Sequence, residues 1–206
     1  MILMRYPYLI LFILFIGFSM SDRNNDFSLL VKLLNGFLKK DEIKKRLYSF
    51  VEKETNDWEK WLQIEFAHFL TSKKKYELHR EVTIYLDPID YPDSRLAKVD
   101  LILREKSSPS DDYIFIEFKC TKRVASLVRG LAADQKKISA IRQCNYKMRN
   151  YLGVGFHLFC EPDDIHFMEK YVSEELNGSY AVFKLCECPV RYNCQCELNE
   201  IGVVLF

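Results

Sequence analysis

The run IFIEFK at residues 114–119 is apolar until it ends in an acid, an aromatic and a base. Side chains alternate between the two faces of a β-strand, so the three even-numbered residues share one face and Phe115, Glu117 and Lys119 share the other. A strand this apolar is typical of a sheet centre that is covered on both sides. Taken alone, Glu117 and Lys119 would be an ordinary surface ion pair at a strand tip.

The preceding apolar run, residues 97–103, contains a second acid that changes this interpretation. Asp100 interrupts the sequence AKVDLIL, and buried acids are uncommon unless they are paired or bind a metal. If the two runs form a hairpin, Asp100 near the start of one strand lies across from Glu117 near the end of the other. Two carboxylates at that separation repel unless a cation lies between them, and oxygen ligands suit Mg²⁺.

Two predicted helices also carry an acid within an apolar stripe. In the first, Glu65 completes a stripe formed by apolar residues at helical spacing: Trp58, Trp61, Leu62, Phe66 and Phe69. Asn56 and Glu59 resemble a capping box at the start of this helix. In the second helix, Asp134 takes a core-facing position, with Gln135 and Lys136 beside it. Glu65 could instead lie at the edge of its stripe and reach solvent, and Asp134 could instead be an N-terminal charge or lie in a helix–helix contact.

Periodicity and turn signals predict an α/β domain with a mixed central sheet flanked by helices. Two helices, one around Phe27–Leu38 and one after Asp41, form an N-terminal helical extension over residues 20–55. From Asn56 the predicted order is helix, three strands, helix, strand, helix and strand. The helix after the IFIEFK strand is expected to span roughly Val124–Arg149, and Gly130 is a candidate position for a break in it.

Asp100 followed by Glu117-Phe118-Lys119, on adjacent strands after a helix that bears Glu65, resembles the PD-(D/E)XK nuclease superfamily. The resemblance covers about residues 56–160. It implies a restriction-endonuclease-like αβββαβ core and Mg²⁺-dependent endonuclease activity, with Mn²⁺ as a substitute. One departure is that Val99, and not proline, precedes Asp100.

The resemblance also implies a set of site residues. Asp100, Glu117 and the main-chain carbonyl of Phe118 would be metal ligands, Lys119 would be the catalytic lysine, and Glu65 would assist the metal or the attacking water. Residues 134–138 are similar to an auxiliary helix motif of this superfamily, in which Gln135 would position a phosphate or Lys119.

The charge distribution favours a nucleic-acid partner, although the net charge is only +1. Nine Lys or Arg residues and one acid lie between Lys119 and Arg149, an excess that attracts phosphate or forms a solvated helix face. We expect DNA more than RNA, bound through phosphate contacts over residues 122–149. A homodimer is left open. The alternative function is a non-catalytic nucleic-acid-binding module on the same fold.

Four of the seven cysteines form two CxC pairs, Cys186/Cys188 and Cys194/Cys196, around PVRYN. A hairpin closed by that loop would place all four thiols on one side, where Zn²⁺, free thiols and disulfides are all compatible with the spacing. The odd total leaves at least one thiol outside any intramolecular pair, which favours a reducing compartment.

Residues 1–19 contain a run of thirteen mostly apolar residues after Arg5, shorter than the roughly 20 that span a membrane. A signal peptide, a short anchor and a translation start at Met20 are the three interpretations. We favour the start at Met20, which predicts a cytoplasmic protein comprising the helical extension and a nuclease-like domain over 56–206. The alternative is a secreted or anchored protein, with membrane contact only if residues 5–18 are retained.

Overall fold

The computed structural model describes residues 20–158, 160–186 and 200–206. Within these ranges the helices are α1 (Met20–Leu38), α2 (Asp41–Glu52), α3 (Glu59–Ser72), α4 (Val124–Ser139) and α5 (Pro162–Glu174). The strands are β1 (Tyr76–Leu86), β2 (Leu96–Glu105), β3 (Asp112–Thr121), β4 (Ile141–Cys144), β5 (Lys147–His157), β6 (Ser179–Lys184) and β7 (Glu200–Leu205). None of the helices in these ranges is long and apolar enough to cross a membrane.

The seven strands form one mixed sheet in the order β4-β1-β2-β3-β5-β7-β6. Neighbouring strands are antiparallel except β3 and β5, which run parallel. The parallel pair requires a crossover, and α4 supplies it. β3 therefore lies at the centre, where its first seven residues are buried. This arrangement confirms the predicted α/β class with a mixed sheet between helices.

Each face of the sheet is covered by its own helices. One face carries the main core, in which Leu33 of α1, Leu47 of α2 and Phe66 of α3 pack with Ile116 of β3 and Phe156 of β5. On the opposite face, α4 and α5 form a second core with the ends of β5 and β7. Burying an apolar stripe of every helix against a central sheet gives a three-layer domain in which the two N-terminal helices share the main core.

An ion pair also attaches α1 to the sheet. Asp26, 5% exposed, accepts hydrogen bonds from Nε and Nη2 of Arg149 at 3.1 and 2.7 Å. Nη1 of the same arginine lies 3.6 Å from a carboxylate oxygen of Asp112 on β3. The N-terminal helices therefore contact the sheet through charge as well as apolar surface.

The predicted helix over Val124–Arg149 was wrong in its second half. α4 ends at Ser139, and the chain then forms β4 and the start of β5. β4 pairs with the edge of β1, and Arg142 forms an ion pair with Asp87 just beyond β1. This pairing with distant residues outweighs the helical pattern. β7, absent from the prediction, lies between β5 and β6.

The predicted capping box at Asn56 and Glu59 was also wrong. α3 begins at Glu59, its N-cap is Trp58, and no side-chain cap hydrogen bond forms there. Trp58 is only 2% exposed and belongs to the main core. Its burial fixes the position of the helix start and leaves the Glu59 carboxylate free for a different contact.

Candidate active site

Asp100 lies where β2 and β3 separate. Their ladder ends at the pair Leu101–Ile116, so the next opposed residues are Asp100 and Glu117. There Oδ2 of Asp100 accepts the N–H of Phe118 at 2.8 Å. A side-chain oxygen thus takes the place of a backbone carbonyl and fixes Asp100 against the neighbouring strand. The residues expected to face each other across the hairpin do so.

The backbone is irregular at the same level. In a regular strand Val99 and Leu101 would share a face, but Val99 packs on the α4 side and Leu101 in the main core. In β1, Glu81 lies between the residues paired with these two and has φ 54°. A left-handed non-glycine residue costs on the order of 1 kcal/mol. The fold therefore holds a local distortion beside Asp100.

Glu117 is the most buried acid of this region, with 4% exposure. Its pKa is raised from 4.5 to about 9, mainly by burial and then by the nearby Asp100, against the opposing effect of Lys137. The Lys137 ammonium lies 2.7 Å from Oε1 of Glu117, but this charge contact lacks the alignment of a hydrogen bond. A carboxylate in this environment has a strong electrostatic need for a cation.

Lys119 lies on the same face of β3, as alternation predicted. Its ammonium is 3.5 Å from Oε2 of Glu59 and 3.9 Å from Oδ2 of Asp134. Burial would lower its pKa, but Asp134, Glu59 and Asp100 together raise that pKa above its ordinary value. Lys119 is therefore a charged group held between carboxylates.

Gly130 makes room for the stem of this lysine. A Cβ at Gly130 would lie 2.7 Å from Cδ and 2.8 Å from Cγ of Lys119. α4 can therefore pass close over β3 only because this residue has no side chain. The helix continues through Gly130 without the break that the sequence suggested.

Glu59 joins the cluster, a role that the sequence analysis missed. One of its carboxylate oxygens, Oε2, accepts the N–H of Cys120 at 2.9 Å and contacts Lys119. Burial raises the pKa of Glu59, with smaller opposing effects from the Cys120 N–H and Lys119. An acid near a helix start is common as a cap, so only the fold reveals that this one reaches β3.

Glu65, the acid expected from this helix, is half-buried, and no hydrogen bond or ion pair of the described chain joins it to the cluster. It follows Glu59 by six residues, about 9 Å along the helix axis. The start of α3 at Glu59 therefore brings that residue, and not Glu65, to the end of β3.

Two residues of α4 complete the cluster. Asp134 faces the core as predicted, with its side chain 14% exposed, and burial raises its pKa against the effects of Lys119 and Lys137. Lys137 lies one helical turn further on, 3.8 Å from Oδ1 of Asp134. Gln135, expected to face the site, is exposed to solvent, because residues three apart share a helix face and adjacent residues do not.

A tyrosine from β5 also faces these charges. The hydroxyl of Tyr151 is buried and has no hydrogen-bond partner in the described part of the chain. Burial raises its pKa, and Glu117, Asp134 and Asp100 contribute to the increase. The phenol therefore stays protonated, which gives the site an unused hydrogen-bond donor.

A divalent cation fits part of this cluster. Across residues 20–158, 160–186 and 200–206, no three carboxylate, imidazole or thiol groups converge closely enough to hold a metal ion. Two carboxylates, Asp100 and Glu117, lie together, and the buried Oε1 of Glu117 lacks a hydrogen bond. The N–H of Phe118 points toward Asp100, and in an extended strand the carbonyl of the same residue points to that side. Two carboxylates and one main-chain oxygen are a ligand set suited to Mg²⁺ with several waters.

The predicted zinc ligands lie mostly outside the described residues. Cys188, Cys194 and Cys196 belong to the segment 187–199, and Cys186 is half-buried just before it. The zinc site stays a prediction, as do the interpretations of residues 1–19.

No family model, curated protein or solved structure matches this chain.

Proposed function

We propose that this protein is a Mg²⁺-dependent endonuclease that hydrolyses phosphodiester bonds in DNA. The observation that carries the proposal is the pair Asp100 and Glu117 at the point where β2 and β3 separate, with Lys119 next on the same face. The succession α3-β1-β2-β3-α4-β4-β5 contains the αβββαβ order of the PD-(D/E)XK superfamily core, with the short edge strand β4 inserted between α4 and β5. A restriction-endonuclease-like fold is accordingly part of the proposal.

Asp100, Glu117 and the carbonyl of Phe118 would hold the metal. When bound, Mg²⁺ would supply Lewis-acid stabilisation of phosphate charge and acidify a bound water. Lys119 would orient that water or neutralise charge that develops on the phosphate, because its raised pKa keeps it protonated at neutral pH. Glu59 and Asp134 would position the ammonium of Lys119, since each lies within 4 Å of it.

The DNA backbone would approach the carboxyl end of β3. The proposed basic surface is smaller than the predicted stretch 122–149, because Arg142 and Arg149 are paired with Asp87 and Asp26. Lys122 and Arg123 line a polar cavity of about 530 Å³ that also contacts Cys120, next to Lys119. Lys122 lies 3.7 Å from the Glu54 carboxylate, a largely exposed partner that solvent screens. These two cations suit phosphate oxygens and carry no base specificity.

A cleavage assay on supercoiled plasmid tests the proposal. Wild-type protein should nick the plasmid with Mg²⁺ or Mn²⁺ and not with EDTA. Lys119→Ala should reduce cleavage at least about 100-fold and leave DNA binding within about threefold, the effect of one phosphate contact. Lys106→Ala is the matched control, because Lys106 is an exposed lysine in the turn at the other end of β2.

The assay distinguishes the enzyme from its alternative. Metal-independent DNA binding without cleavage under any divalent ion would refute the nuclease and favour a non-catalytic nucleic-acid-binding module. Equal cleavage by Lys119→Ala and Lys106→Ala would refute the role of Lys119.

A further inference from the structure

The proposed metal site already contains a positive charge. The ammonium of Lys137 lies 2.7 Å from Oε1 of Glu117 and 3.8 Å from Oδ1 of Asp134. It also donates a hydrogen bond to the carbonyl of Lys98 at 3.2 Å. These partners belong to β3, α4 and β2, so the ammonium lies between the two strands that carry Asp100 and Glu117.

Lys137 and Lys119 have different partners. Lys119 is held by Glu59 and Asp134, whereas Lys137 is the cation in contact with Glu117. Lys137 therefore contacts Oε1 of Glu117, the carboxylate oxygen that a metal would use.

We propose that the Lys137 ammonium occupies the metal's position beside Oε1 of Glu117, competes with the divalent metal and moves away when the metal binds. The proposal rests on the metal site of the proposed function. A divalent ion on Oε1 of Glu117 would lie within a few ångströms of the ammonium, where like charges repel strongly in a buried site. The two cations therefore exclude each other.

The position of Lys137 allows this exchange. It lies in the last turn of α4 and its side chain is 19% exposed, so its end can move toward solvent. A lysine is also a flexible chain that carries a compact charge. Its release exchanges the contacts with Glu117, Asp134 and the Lys98 carbonyl for water.

Calorimetric measurement of Mn²⁺ binding to the full chain, in the absence of DNA, tests this competition. Lys137→Met should bind Mn²⁺ at least tenfold more tightly than wild type, which corresponds to about 1.4 kcal/mol. Lys137→Arg, which keeps the charge, should bind no more tightly than wild type. The matched control is Lys136→Met, since the Lys136 ammonium lies 5.7 Å from the centre of the Tyr91 ring, away from Glu117. Loss of that screened surface charge should change affinity by less than about threefold.

Several outcomes would overturn the proposal: equal or weaker Mn²⁺ binding by Lys137→Met, equal gains in Lys136→Met, or tighter binding by Lys137→Arg. Absence of Mn²⁺ binding in both wild type and a folded Lys137→Met protein would overturn it as well. If Lys137→Met unfolds, Lys137→Gln replaces it in the same comparison. Tighter binding without any DNA cleavage would support the competition and refute the nuclease, so the two failures are distinguishable.

Discussion

Replacing Glu117 with glutamine measures how much the buried carboxylate lowers the free energy of unfolding. The pKa of Glu117 is raised from 4.5 to about 9 in the folded protein, mainly by burial and then by Asp100. The unfolded chain releases this proton near its ordinary pKa, whereas the folded chain retains it. Between these pH values the folded state binds more protons, so stability falls as pH rises.

The size of the effect follows from the interval of pH. Each pH unit between the two pKa values contributes up to about 1.4 kcal/mol. From pH 4.5 to pH 7 the loss is therefore about 3 kcal/mol, and it levels off above pH 9. Glutamine has a similar shape and does not titrate, so Glu117→Gln should be nearly neutral at pH 4.5 and more stable than wild type by about 3 kcal/mol at pH 7.

Urea unfolding between pH 4.5 and pH 8, with EDTA present, gives the free energy of unfolding of both proteins. Glu65→Gln is the control, because it makes the same chemical change at a half-buried acid on α3. The Glu117→Gln difference from wild type should change with pH by more than the Glu65→Gln difference does. A Glu117→Gln difference that is independent of pH, or that reverses sign above pH 7, would refute the reasoning. Mg²⁺ should stabilise wild type and not Glu117→Gln, since the metal binds only the folded carboxylates.

Two further predictions concern Glu59, which contacts Lys119 from α3, and Asp26, which joins α1 to the sheet. Glu59→Gln should lower plasmid cleavage about tenfold and move the alkaline limb of its pH profile to lower pH, because loss of this negative charge lowers the pKa of Lys119. Glu65→Gln should leave both unchanged, and equal effects of the two variants would contradict the site described above. Asp26→Asn should reduce the free energy of unfolding by about 3 kcal/mol in urea, because it removes the buried negative charge that lies 2.7 Å from the Arg149 guanidinium. Asp41→Asn, an exposed acid at the start of α2, should stay within about 0.5 kcal/mol of wild type, and an equally small effect of Asp26→Asn would show that the ion pair does not secure α1.

The centre of the cluster could be predicted because it depends on local periodicity. The period of two in a strand fixes Glu117 and Lys119 on one face, whatever the rest of the fold does. The hairpin between β2 and β3 joins neighbouring segments, so the apolar pattern of each strand also determined that Asp100 meets Glu117. Asp134 could be found for a similar reason, since an acid within the apolar stripe of α4 must face the sheet.

The outer residues of the cluster could not be found in this way. Whether Glu59 or Glu65 reaches β3 depends on where α3 starts, and burial of Trp58 in the main core decides that. Whether Gln135 or Lys137 faces Glu117 depends on the rotation of α4 over β3, which Gly130 permits by close contact with Lys119. Both are contacts between segments far apart in the sequence.

The sequence by itself determined the α/β class, the central strand and the trio Asp100, Glu117 and Lys119 on one side of a hairpin. Only the tertiary structure decided the extent of α4, the insertion of β7, and the pairing of Arg142 and Arg149 with distant acids. The physical reason is the sequence separation over which each interaction acts. Side-chain alternation is a property of a few consecutive residues, whereas sheet-edge pairing, helix rotation and ion-pair choice follow from the free energy of contacts across the whole fold.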